Sequence, residues 1–129
     1  MREPVCTALL FADKIIIENN GKKGIIGTFS RIQSQAFPVN SAPWGIYIAV
    51  TNVEGKHSFS VNLENMETNE IIFPIEGDLD SKNSEEIIEL VFNTNGVLFP
   101  REGKYSLNFT IDKEVLSSTV LYVEKVTTL

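Results

Sequence analysis

The stretch Val97-Leu-Phe-Pro-Arg-Glu-Gly-Lys-Tyr-Ser-Leu-Asn-Phe-Thr-Ile-Asp-Lys-Glu-Val115 decides the fold, because it reads as strand, turn and strand with almost every position explained. From Tyr105 the apolar residues recur at every second place, Tyr105, Leu107, Phe109 and Ile111, with Ser106, Asn108 and Thr110 between them. That is the period of a strand with one face in a core and one in water. Pro100 and Gly103 bracket a charged pair and suit a tight reversal, and Asp112-Lys113 reverses the chain again. The next run, Thr119 to Val126, sets Val120, Tyr122 and Val126 on one face and Leu121 and Val123 on the other. A strand apolar on both faces is covered on both sides or meets a partner.

Working outward, turn signals recur at short spacing, as a sandwich requires. Asn20-Gly21 separates Lys14–Glu18 from Gly24–Phe29, Glu54-Gly55 separates Trp44–Thr51 from Lys56–Leu63, and Asn95-Gly96 separates Glu89–Phe92 from Val97–Phe99. Asn-Gly favours hairpins because both residues tolerate positive φ. Glu67-Thr68-Asn69 leads into a further strand, Glu70 to Ile75. Ser30 to Ala42, with Pro38 in it and Pro43 after it, reads as a strand end followed by a long crossing between sheets. Residues 84–91 carry two signals. Ser84 before Glu85 and Glu86 suits a helix cap, while the alternation of Ile88, Leu90 and Phe92 suits a strand, which is the favoured reading. The expected architecture is all-β, an immunoglobulin-like antiparallel sandwich of about eight or nine short strands, in one domain spanning residues 1–129.

A chain of 129 residues buries enough surface to need no staple. One cysteine, Cys6, and one histidine, His57, leave no disulfide framework and no Cys/His zinc set. A formal charge of −6 and a pI near 4.8 repel phosphate backbones, so nucleic acid is not an expected partner. No stretch approaches the roughly 20 apolar residues of a membrane span, and no cleavage site follows the short run Val5 to Ala12. The expected location is the cytoplasm, where a free Cys6 is at home.

Several residue sets invite a functional reading. Glu76, Asp78 and Asp80 offer oxygen ligands to a hard cation in what reads as an acidic loop; their spacing does not match the helix-loop-helix calcium pattern, and a solvated loop explains them better. Trp44, Tyr47, Tyr105 and Tyr122 suggest a stacking platform for a small ligand or sugar, against the simpler role of core and rim packing. Asp13 and Arg31 each interrupt an apolar run, and a structural ion pair between them would offset their desolvation. His57, just after a turn, has neither a Gly-x-Ser-x-Gly elbow nor a His-Glu-x-x-His motif to work with and reads as an exposed turn residue. No cofactor is implied.

The order Ala12-Asp13, Gly24-Ile-Ile-Gly-Thr-Phe-Ser-Arg-Ile32, Phe37-Pro38 and Phe99-Pro-x-x-Gly-x-Tyr105 resembles a family of short bacterial and phage-associated single-domain proteins with no assigned function. The last of these motifs also resembles terminal hairpins of immunoglobulin-like sandwiches. The resemblance implies an architecture and no catalytic residues, since fold alone supplies no function. The expected role is therefore a non-enzymatic module that binds a protein partner, a second copy of the chain included. Binding of a small ligand or carbohydrate at Trp44 and the nearby tyrosines is the alternative.

Overall fold

A computed structural model describes residues 3–128. Eleven strands make up the described chain: β1 (Val5–Ile17), β2 (Lys23–Phe29), β3 (Arg31–Ser34), β4 (Val39–Asn40), β5 (Trp44–Thr51), β6 (Gly55–Asn65), β7 (Ile71–Ser81), β8 (Ile88–Thr94), β9 (Leu98–Phe99), β10 (Gly103–Ile111) and β11 (Glu114–Lys125). One sheet has the order β2-β1-β5-β8, a second β3-β11-β10-β6-β7, and β4 pairs with β9 in a small third. All pairings are antiparallel except β3 with β11, which is parallel. Residues 84–91 form a turn followed by the start of β8.

The alternation read from the sequence becomes the core. Tyr105, Leu107 and Phe109 of β10 are fully buried, and they join Val61 and Leu63 of β6 and Leu121 of β11 against Ile46, Ile48 and Val50 of β5. Rings tie the two large sheets together: Phe59 on β6 meets Phe92 on β8 at 6.1 Å, and Trp44 on β5 meets Phe73 on β7 at 5.8 Å. Edge and tilted ring pairs of this kind add to the gain from area burial. Among the described residues, no buried side-chain nitrogen or oxygen lacks a hydrogen bond.

Local turn chemistry behaved unevenly. Asn20-Gly21 closes a true hairpin, with Gly21 at φ 86° and the Glu18 amide donating to the Lys22 carbonyl. Asp112 (φ 50°) and Lys113 (φ 70°) turn β10 into β11 in the left-handed region that two-residue hairpins require. Glu54-Gly55 and Asn95-Gly96 do not join paired strands. The first carries the chain from β5 in one sheet to β6 in the other, and the second from β8 to β9, which pairs with β4. The crossing expected over residues 30–42 is abrupt: Phe29 ends β2 in the first sheet and Arg31 begins β3 in the second, so Ser30 alone spans them. The acidic segment expected as a loop is strand. Glu76, Asp78 and Asp80 lie within β7, opposite Ser60, Ser58 and Lys56, on an edge strand where charges keep other chains from pairing.

β1 outruns its neighbour. Its register with β5 ends at Ala12 opposite Gly45, and beyond that point it pairs only with β2. The resulting arm folds over the outer face of the first sheet. Ile15 is buried against Gly45, where a Cβ would stand 3.0 Å from its Cδ1, and Lys23 places its Nζ 3.1 Å from Glu89 on β8.

Candidate functional site

The base of that arm, the β2–β3 corner and the segment around β4 enclose a cleft of about 310 Å³ at one end of the sandwich. Its apolar floor includes Phe29 and Trp44. The Trp44 indole belongs to a cluster with Phe11, Phe29 and Phe73, and its N–H donates to Ser41 Oγ at 2.9 Å. The same hydroxyl oxygen accepts from the Val97 amide at 2.9 Å, which ties the segment before β5 to the one before β9.

Asp13 and Arg31 both stand on the wall of this cleft, but they do not pair. The Arg31 guanidinium donates to Glu124 Oε1 at 2.8 Å and lies 4.7 Å over the Tyr122 ring. The parallel register of β3 on β11 sets Arg31 opposite Tyr122 and leaves Glu124 as its diagonal neighbour. The hydrogen bond from Arg31 to Glu124 raises its pKa further above an already high ordinary value. Asp13 is exposed at the mouth, in a space that only Gly27 leaves open. A Cβ on Gly27, which has φ 72°, would meet the Asp13 carboxylate oxygen well inside contact distance.

The four aromatic residues do not form one platform. Trp44 and Tyr105 are buried, Tyr47 lies on the outer face of the first sheet, and Tyr122 lies on the outer face of the second between Arg31 and Lys104. Tyr105 is structural: its hydroxyl donates to the Arg101 carbonyl at 2.7 Å, holding the corner that leads into β10. The Tyr47 hydroxyl donates to Glu89. Burial and that carboxylate push the Tyr47 pKa up to about 12, and the bond from Tyr47, helped by Lys23, holds Glu89 below its ordinary range.

At the opposite end, a depression of about 450 Å³ is lined by Ser58, Ser60, Thr110 and Lys113 together with Glu76 and Asp78. Glu76, Asp78 and Asp80 share the outward face of β7, with Cα atoms roughly 7 Å apart from one to the next. Among the described residues no group of three His, Cys, Asp or Glu side chains is placed to hold a metal. Beside this surface is a pairing the sequence reading missed. His57 Nδ1 lies 2.5 Å from Asp112 Oδ2, and its Nε2 lies 2.8 Å from the Glu54 carbonyl oxygen. Both acceptors lack protons of their own, so both ring nitrogens donate and the imidazolium is favoured. The bond to Asp112, then that to Glu54, raises the His57 pKa, while His57 lowers that of Asp112. A histidine with both nitrogens committed is a poor general base. The partners are 55 residues apart in sequence, and no local signal links them.

No curated protein matches this chain. A model for a family of unknown function matches residues 7–124, a span that takes in nearly all of both large sheets and the whole of the cleft, and the chain therefore belongs to that family, DUF6941.

Proposed function

We propose that the chain is a non-enzymatic, immunoglobulin-like sandwich that serves as a protein-interaction or assembly module in the reducing cytoplasm of a bacterium. The immunoglobulin-like reading is supported by strand order: β1-β5-β8 faces β11-β10-β6-β7 as the A, B and E strands face G, F, C and C′ in that architecture. The Tyr105 bond to Arg101 resembles its tyrosine corner. The free Cys6 suits a reducing compartment.

One observation carries the interaction reading. The β1–β2 arm exposes Ile16 (43%), Ile17 (65%), Ile25 (36%) and Ile26 (52%) on a hairpin whose outer strand is a sheet edge. Of the other edge strands, β8 carries Glu89, and β7 has a proline, a bulge near it and three outward carboxylates, devices that deter edge pairing. β2 carries no acidic residue and no proline. An unprotected apolar edge is a surface for a partner strand or face.

The test is capture of stoichiometric partners by the tagged full chain from its native cells, with light scattering of the pure protein to detect a second copy. The native chain is expected to retain a partner that the double variant Ile16→Lys, Ile26→Lys loses, with the melting temperature nearly unchanged because both sites are exposed. A native chain that holds neither a partner nor a second copy, or a variant that keeps the same partner, overturns the reading.

A further inference from the structure

We propose that the cleft at the base of the arm is a socket for one basic side chain of the protein partner, with Asp13 as its counter-ion; this rests on the interaction reading above. Among the described residues, Asp13 and Arg31 are the only charged ones lining the cleft. Arg31 is already matched by Glu124 at 2.8 Å, whereas Asp13 has no hydrogen bond or ion pair among the described residues. The unbalanced charge of the lining is thus a single carboxylate, held at the mouth by the space Gly27 leaves.

The other lining groups fit the same ligand. Gln33 and Asn40 are exposed on the wall and make no side-chain hydrogen bond to the protein among the described residues, so their amide oxygens are free to accept N–H bonds. Phe29 and Trp44 supply an apolar wall for an alkyl stem, and aromatic faces attract cations. At about 310 Å³ the volume lies at the small end of the range for ligand pockets. It suits one anchoring side chain, and a buried arginine anchored in a pocket is a recurrent source of interface energy. The net charge of −6 draws a cationic partner toward the surface. The carboxylates of β7, by contrast, line depressions that already hold cationic groups, Lys113 in one and Lys56 and His57 in the other.

The full chain, labelled with ¹⁵N, is titrated with N-acetyl-arginine amide, and with N-acetyl-glutamine amide and N-acetyl-glutamate amide as controls. Trp44 is the single tryptophan, so its indole N–H signal reports directly on the floor. The expected result is a saturable shift of the Trp44 indole and of the Asp13 and Gly27 amides with Kd on the order of 1 mM, weakened about tenfold in Asp13→Asn. The glutamine and glutamate amides should produce no saturable response. Asp13 is exposed and unpaired, so Asp13→Asn should fold normally, which its spectrum checks. An equal response in native and Asp13→Asn, an equal response to the glutamine amide, no saturable shift, or shifts centred on β7 would each overturn the socket. Partner capture separates the two readings: a partner retained through the arm and insensitive to Asp13→Asn removes the socket and leaves the interaction module standing.

Discussion

His57 reads as a surface turn residue in one dimension and acts as a staple in three. It joins the loop after β5, through the Glu54 carbonyl, to the β10–β11 turn, through Asp112, and Asp112 Oδ1 accepts from the Ser58 amide at 3.1 Å. Because the folded-state pKa of His57 is raised, its contribution to stability is complete below the ordinary value of 6.5 and is lost as pH rises through the raised value. Asp112 is lowered, so its contribution is complete above the ordinary 3.8 and is lost as pH falls through the lowered value. The pair therefore stabilises most between those ordinary values. Both groups are solvent-accessible, and the effect is small and weakened by salt. The expected outcome is a urea midpoint that declines above pH 6.5 in the native chain and declines less in His57→Gln. Identical pH profiles would remove the staple. An NMR titration of the His57 ring should give a pKa above 6.5.

The arm is the element that sets this chain apart from a plain two-sheet sandwich. Its shape depends on two glycines with different tasks. Gly45 lets Ile15 settle on the outer face of β5, and Gly27, at φ 72°, lets the Asp13 side chain cross the hairpin. Alanine at position 27 meets both a left-handed backbone and the Asp13 carboxylate. Gly27→Ala is expected to cost about 1–2 kcal/mol from the backbone alone. It should also move the Asp13 carboxylate, so that thermal stability and the arginine-amide response fall together. Full stability and unchanged titration in Gly27→Ala would show that the arm does not depend on this position. The arm was half legible in the sequence. Asn20-Gly21 marked its tip and the isoleucines marked two apolar faces, but nothing local showed that one face covers Gly45 while the other stays open.

At the scale of the whole molecule, the fold is made from pairings between distant parts of the chain. β3 lies beside β11, so Arg31 faces Tyr122, and β1 lies beside β5 with Leu9 opposite Ile48. Such non-local closure places folding in the millisecond-to-second range typical of β-sandwiches. Trp44 bridges the sheets through Phe73, and it should therefore report the same event as the backbone. Urea unfolding followed by Trp44 fluorescence and by far-ultraviolet circular dichroism is expected to superimpose; separate midpoints would mean that the sheets unfold independently. The sequence by itself determined which residues face inward, as at Tyr105, Leu107, Phe109 and Ile111, and where Asp112-Lys113 and Asn20-Gly21 reverse the chain, because side-chain alternation and turn dihedrals are properties of neighbouring residues. Tertiary structure alone decided that Glu54-Gly55 changes sheets, that Arg31 meets Glu124 instead of Asp13, and that His57 meets Asp112. The physical reason is that a period of two states which face of a strand is buried and leaves open which strand lies beside it. That choice is made by how the two sheets pack across their common core, and every charge pair that spans strands inherits it.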